Sequence, residues 1–170
     1  MLPFIFGGLY MEKLHNLFYE SPIGILEIKG TDEAIHSIMF VEKEKAENNI
    51  DVECPLVLKI CSDQLDEYFL GKRTEFTIPI ILNGTIFQQS VWKSLTTIPH
   101  GNTVSYKQIA EGLGNPKAVR AVGGANNKNK LSIIVPCHRV ISADGKLTGY
   151  AGGLWRKEWL LLHEKSMKKS

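Results

Sequence analysis

Cysteine is scarce in this 170-residue chain, with only Cys54, Cys61 and Cys137. An odd number at irregular spacing excludes a disulfide framework and leaves no Cys/His cluster with zinc spacing, so no metal is expected. That usage fits a reducing compartment, the cytoplasm or nucleoid. Long apolar runs are also missing, which excludes a bilayer-spanning helix. Residues 1–10 are apolar but lack the basic start and small-residue cleavage site of a secretory signal, and read as a strand or an extension. Apolar content of 44% and charged content of 22% are those of a globular chain. Its length suits one ordinary domain or two small ones.

The net charge of +2 hides a polarity. Through Gly84 there are 7 Lys/Arg against 14 Asp/Glu, a net of −7; from Thr85 onward there are 13 against 4, a net of +9. A basic half joined to an acidic one suggests that one side meets a polyanion, and nucleic acid is the natural candidate.

The acidic half opens with strand patterns at Ile23-Gly24-Ile25-Leu26-Glu27-Ile28 and Ile35-His36-Ser37-Ile38-Met39-Phe40, flanking a turn-rich linker, so a hairpin is expected. Residues 42–49 read as a charged surface loop. An amphipathic helix follows, with Pro55 in its first turn, an apolar stripe of Val57, Ile60, Cys61, Leu65, Tyr68 and Phe69, and Gly71 at its end. Cys61 on that stripe is expected in the core.

A boundary is expected near Asn83-Gly84, giving domains 1–84 and 85–170. Thr85 with Gln88, and Ser105 with Gln108, form capping boxes that open two helices. The first carries Phe87, Val91, Trp92 and Leu95 inward. The second stops at Gly112-Leu113-Gly114, after which Asn115 caps a further helix with Pro116 at its first position. Two short helices around a glycine turn are a helix-turn-helix pattern. The latter helix is nearly bare at Ala118, Ala121, Gly123, Gly124 and Ala125, with Arg120 as its one long cation. Small residues let a backbone approach a narrow groove, and they equally suit close packing in a core.

A strand-like run then reaches Val135, and Asp144-Gly145 marks a tight turn. Residues 149–153 form a glycine loop, and a final helix from Leu154 to about Glu164 carries Trp155, Trp159 and Leu162 inward, with a frayed basic tail beyond. Between run and turn lies Pro136-Cys137-His138-Arg139-Val140. A free thiol has a pKa of about 8.5, so an adjacent imidazole and a nearby guanidinium make Cys137 a candidate nucleophile. The plain alternative is a core cysteine at the end of a strand.

Taken together, these motifs resemble the 6-O-alkylguanine-DNA alkyltransferases, the methylated-DNA–protein-cysteine methyltransferases. The resemblance rests on Pro136-Cys137-His138-Arg139-Val140, Arg120-Ala121-Val122-Gly123-Gly124-Ala125, Tyr106, Tyr150-Ala151-Gly152-Gly153, Glu158-Trp159-Leu160-Leu161 and His163-Glu164. It runs almost unbroken over residues 85–164 and more loosely over 21–41.

The resemblance implies an α/β N-terminal domain with a ribonuclease-H-like sheet, then a mainly α winged helix-turn-helix domain. It implies DNA repair without a cofactor: a monomer binds double-stranded DNA through the minor groove, flips out the alkylated guanine and transfers the alkyl group once, irreversibly, to Cys137. His138 would deprotonate Cys137 through a water, with Glu164 orienting His138, and Tyr106 would donate to the departing guanine. Arg120 would fill the vacated stack, on a helix whose Ala118, Ala121 and Gly123 approach the groove; Lys117 and Lys128 would meet phosphates. Asn129 resembles a hinge before the nucleophile. Val140 with Tyr150, Ala151 and Gly152 would line and cover the pocket.

Departures from the family pattern are Lys130 and Ser132 in place of frequent prolines, which would leave that segment less rigid, Ala151 for serine and Val119 for alanine. A lesion-binding relative without the reactive cysteine is disfavoured by Cys137. A cysteine hydrolase would not explain the basic half, and a transcription regulator would carry a more polar reading helix.

Overall fold

The computed structural model describes residues 12–48 and 53–168. The expected strand or extension at residues 1–10 lies outside them. Three antiparallel strands, β1 (His15–Ser21), β2 (Gly24–Gly30) and β3 (Ile35–Val41), form a sheet in sequence order. The expected β2–β3 hairpin is present. Its register pairs Ile28 with Ile38 and Leu26 with Phe40, while Leu17 and Tyr19 face Ile28 and Leu26 across β1–β2. Period-2 alternation thus places one apolar face against helix α1 (Leu56–Phe69).

Pro55 sits at the N-cap of α1 rather than within its first turn. The buried stripe is Leu58, Cys61, Gln64, Leu65, Tyr68 and Phe69, so the expected inward Ile60 is instead partly exposed. The helix ends where Gly71 takes a φ of +75°, and the Lys72 amide reaches back to the Glu67 carbonyl at 2.8 Å, a Schellman closure. Cys61 is a core residue; burial pushes its thiol up to about 12, leaving it inert.

The free edge of β3 is covered by later chain. Ile35 exchanges hydrogen bonds with Pro79 and Ile81 at 2.9 Å each, and Ile38 with Lys130 (2.8 Å) and Ser132 (3.0 Å). Covering an edge satisfies its backbone groups and ties residues 130–132 to the sheet. Ser132 donates its amide here, a bond that proline could not make. Ser132 in place of a proline thus adds one tie to the sheet, whereas Lys130 takes part through a carbonyl that a proline would also offer.

The C-terminal part is helical: α2 (Ile86–Leu95), β4 (Val104–Ser105), α3 (Tyr106–Gly112), α4 (Val119–Asn127), a 3-10 turn (Cys137–Arg139), β5 (Val140–Ile141) and α5 (Leu154–Met167). Both capping boxes close as expected. Val91, Trp92 and Leu95 are buried on α2 with Phe87 half-buried, and the Trp92 indole donates to the Ala125 carbonyl at 2.8 Å.

Three expectations are corrected. α4 begins at Val119, because Asn115 and Pro116 form a preceding turn in which the Ala118 amide bonds to Asn115. Residues 127–135 are no strand beyond one bridge at Leu131; the Asn129 side chain takes up the local backbone groups and folds them into turns. On α5, Trp155 is 55% and Leu162 61% exposed, and Trp159 is half-buried. Its inward face is Lys157, Leu160 and Glu164, and its last turn extends past Lys165 to Met167. One apolar cluster runs from the sheet through α1 and α2 to Leu160.

Candidate active site

Asn129 organises the approach to Cys137. Its Nδ2 donates to the Val135 carbonyl (2.9 Å) and its Oδ1 accepts from the Leu131 amide (2.9 Å), closing a tight turn. Inside it Ile133 holds a φ of +73°, a strained conformation for a β-branched residue. Pro136 then sits at φ −81°, ψ 64°, and the Cys137 amide bonds to the Val135 carbonyl at 2.8 Å. That is an inverse γ-turn, which the proline ring favours.

The 3-10 turn that follows has about three residues per revolution, so successive side chains diverge by about 120°. It is this divergence, not the alternation of an extended strand, that separates Cys137 from His138. His138 Nε2 lies 2.7 Å from Glu164 Oε1, while its Nδ1 is buried without a protein partner among the described residues. An ionised carboxylate only accepts, so the proton sits on Nε2 and Nδ1 offers a lone pair. Burial holds the imidazole below its ordinary pKa despite the carboxylate beside it, so it is neutral at pH 7.

Arg139 also turns to Glu164. Its Nη2 donates to Oε1 (2.9 Å) and its Nε to Oε2 (3.0 Å), while Nη1 meets the Ile98 carbonyl at 2.7 Å. The Gly101 amide and the Tyr68 hydroxyl complete the carboxylate's shell at 3.1 and 2.8 Å. Burial pushes Glu164 upward, yet hydrogen bonds and charges from His138 and Arg139 outweigh it and hold the carboxyl far below its usual range. The guanidinium therefore serves Glu164 and not the thiol, contrary to the reading of the Cys137 motif.

The cation near the thiol is Lys157, which sequence reasoning missed. It is fully buried, and its Nζ donates to the carbonyls of Val140 (2.5 Å), Thr148 (2.7 Å) and Gly149 (3.5 Å). The signal was its spacing on α5: Lys157, Leu160 and Glu164 share one face. Burial lowers Lys157 to about 8, opposed by Cys137. Burial raises the Cys137 thiol, while the Asn129 amide and the Lys157 charge pull it down. A protonated buried thiol beside a neutral imidazole calls for a base in the transfer step.

Tyr106, first residue of α3, donates its hydroxyl to the Thr148 carbonyl at 2.9 Å. Gly123 of α4 lies against the Tyr106 ring, 3.9 Å from where a Cβ would stand. Arg120, Ala121 and Lys117 are exposed and Ala118 is half-buried; Arg120 has no ion pair among the described residues. The 149–153 loop is tied to Lys157 through the Gly149 carbonyl. The Tyr150 hydroxyl is buried, Ala151 is exposed, and a Cβ on Gly152 would come within 2.9 Å of the Phe40 and Tyr150 rings. Arg156, also missed, bonds the Gly152 carbonyl (2.9 Å) and the Ile23 carbonyl (2.7 Å), with its guanidinium over Phe40.

A buried cysteine followed by an imidazole that a carboxylate holds is the arrangement of the covalent thiol nucleophiles. Residues 14–82 match the 6-O-methylguanine DNA methyltransferase ribonuclease-like domain, and residues 86–166 match its DNA binding domain. The methylated-DNA–protein-cysteine methyltransferase of Methanosarcina acetivorans is 46% identical, covering 90% of this chain and 99% of its own. The crystal structure of the Mycobacterium tuberculosis O6-methylguanine methyltransferase aligns at a TM-score of 0.80 with 46% identity, covering 91% of this chain and 94% of that one. A structure of Mycobacterium tuberculosis OGT in complex with DNA aligns at 0.81 with 47% identity, covering 90% and 94%. This chain belongs to the methylated-DNA–protein-cysteine methyltransferase family.

Proposed function

We propose that the chain repairs DNA by moving the alkyl group of 6-O-alkylguanine onto Cys137, once per molecule. The observation that carries this reading is the His138 pair of environments: Nε2 tied to Glu164 at 2.7 Å and Nδ1 left as a buried lone pair beside the Cys137 turn. The Cys137 proton passes to Nδ1 through a water, since no hydrogen bond joins the two side chains. A bond forms from Sγ to the alkyl carbon as the carbon–O6 bond breaks, and the electron pair stays on guanine. Tyr106 leaves Thr148 and donates to a guanine ring nitrogen, stabilising that charge until the base is reprotonated. A thioether is not hydrolysed by water, so the protein is spent.

The reacting carbon is out of reach within a duplex, so the nucleotide rotates out at a cost of a few kcal/mol. The exposed Arg120 on the bare face of α4 suits the vacated stack from the minor groove, with α3 and α4 as a winged helix-turn-helix and Lys117 and Lys128 on phosphates. The Val140 carbonyl, which holds Lys157 and keeps a second lone pair, accepts from the exocyclic amine; the Cys137 carbonyl, held by Asn126 and by the Val140 amide, does so by giving up the long Asn126 bond of 3.4 Å. The sheet with α1 is the ribonuclease-like half, divided from the DNA-binding half near Gly84, and the protein acts as a monomer.

Intact mass and peptide mapping after mixing with duplex DNA carrying one 6-O-methylguanine test the proposal. A gain of one methyl group on Cys137, absent with unmodified DNA, is the expected result. Tight binding with no mass change would reduce the chain to a lesion sensor.

A further inference from the structure

We propose that Tyr68 of α1 is a positioning residue of the transfer relay: its hydroxyl, held on Glu164 Oε1, sets how strongly that oxygen draws on His138. The inference rests on the function proposed above. Tyr68 belongs to the N-terminal domain, 96 residues from Glu164 in sequence, is fully buried, and donates to Oε1 at 2.8 Å. The same oxygen accepts His138 Nε2 at 2.7 Å and Arg139 Nη2 at 2.9 Å. With Arg139 Nε at 3.3 Å, four hydrogen bonds converge on one carboxylate oxygen and exceed its two lone-pair directions, so each weakens the others.

The phenol is a fixed dipole and no proton carrier. Burial and then the Glu164 charge push its ionisation well above the ordinary tyrosine value. Its ring is held independently of the hydroxyl, at 5.3 Å from Phe69, 5.7 Å from Phe76, 5.3 Å from His163 and 6.0 Å from His100. Tyr68→Phe therefore subtracts one donor and leaves Oε1 still satisfied by His138 and Arg139. Around His138 stand Glu164 and Lys157 from α5, Arg139 and Cys137 from its own turn, and His100 from the loop before β4. The substitution alters none of these groups and removes only the Tyr68 bond to Glu164.

Without the hydroxyl, Oε1 presents more charge to His138, favours the imidazolium, and raises the His138 pKa. The base is then lost at a higher pH. Single-turnover methyl transfer from duplex DNA, followed by mass from pH 5.5 to 9.5, reads this directly. In Y68F the acid limb should move up by about half a pH unit, making transfer about threefold slower on that limb with the alkaline plateau kept. Tyr19→Phe, which removes another α1-facing tyrosine–carboxylate bond (to Asp66, 3.1 Å), should leave the profile where it is. Placing 3-fluorotyrosine at position 68 strengthens the donor and should shift the limb the opposite way, which also covers a poorly folding Y68F.

An unshifted limb in both Tyr68 variants overturns the proposal, even if stability falls, and makes the bond a structural tie alone. If the unsubstituted protein transfers nothing, the proposed function fails. An NMR titration of His138 in Y68F against the unsubstituted protein then still decides the Tyr68 inference, with the same upward shift expected.

Discussion

Lys157 is an ammonium with no exposed surface and, among the described residues, no carboxylate partner; the carbonyls of Val140, Thr148 and Gly149 hold it. Those three carbonyls satisfy the buried ammonium, and its charge also favours the thiolate that Cys137 forms when it gives up its proton. The arrangement has a pH signature. Burial brings Lys157 down to about 8 in the folded chain, whereas in the unfolded chain it keeps its proton to about 10.4. Between those values the unfolded state holds the extra proton, so raising the pH stabilises the fold. Urea midpoints of the unsubstituted protein and Lys157→Gln should diverge over this window, the former gaining as much as about 3 kcal/mol relative to the latter. Parallel curves would show that Lys157 is not depressed. Cys137, His138 and Glu164 were legible in the sequence because the chemistry lies in side chains of recognisable motifs. Lys157 was not, since its partners are backbone carbonyls that leave no mark on composition. Tyr68 was read only as a core residue, because its partner stands 96 residues away.

Local signals carried the elements well where they are self-contained. Both capping boxes close inside four residues, and the β2–β3 register follows from period-2 alternation. The signals misled where a side chain from outside the pattern intervenes. Isoleucines at 133 and 134 argue for a strand, but the Asn129 amide captures Leu131 and Val135 and bends the chain instead. On α5 the tryptophans argue for an inward face, yet the site claims the face of Lys157 and Glu164 and leaves Trp155 outside. On α4 the small residues divide: Ala125, expected on the bare surface, packs into the core with Val122 and Asn126, while Arg120 and Ala121 face outward. A single long cation on an otherwise bare face can serve extrusion of the base without serving the transfer itself. Arg120→Ala should therefore slow methyl transfer from duplex DNA about a hundredfold, the equivalent of a few kcal/mol of unstacking. Transfer from the free modified base, which needs no extrusion, should stay within about twofold of the unsubstituted rate. Equal losses on both substrates would remove Arg120 from the flipping step.

At the scale of the whole molecule, the acidic half meets the basic half at several places. The β3 edge holds residues 130–132, Tyr68 holds Glu164, and Arg156 bridges the Ile23 and Gly152 carbonyls across the site. None of these contacts pairs an acidic side chain of the −7 half with a basic one of the +9 half, since they run through backbone bonds, an aromatic hydroxyl and a guanidinium on carbonyls. The Arg156 bridge is the one that bears on the 149–153 loop. Its guanidinium lies 4.3 Å from the Phe40 ring and 4.6 Å from Trp155, and Gly24, at a φ of +121°, has no room for a Cβ beneath it. The loop is thereby ordered before any base arrives, and an incoming nucleotide need not bear the entropy of arranging it. Arg156→Met keeps most of the apolar stem but drops both hydrogen bonds. Amide exchange at Gly152 and Gly153 should then quicken about tenfold, and the DNA concentration for half-maximal transfer should rise by a similar factor, with the maximal rate changed less. If exchange stays slow, the loop is held by Tyr150 and its own turn, and the bridge serves only to join the two halves. If the maximal rate falls instead while half-saturation stays put, Arg156 acts on the reacting geometry and not on the order of the loop.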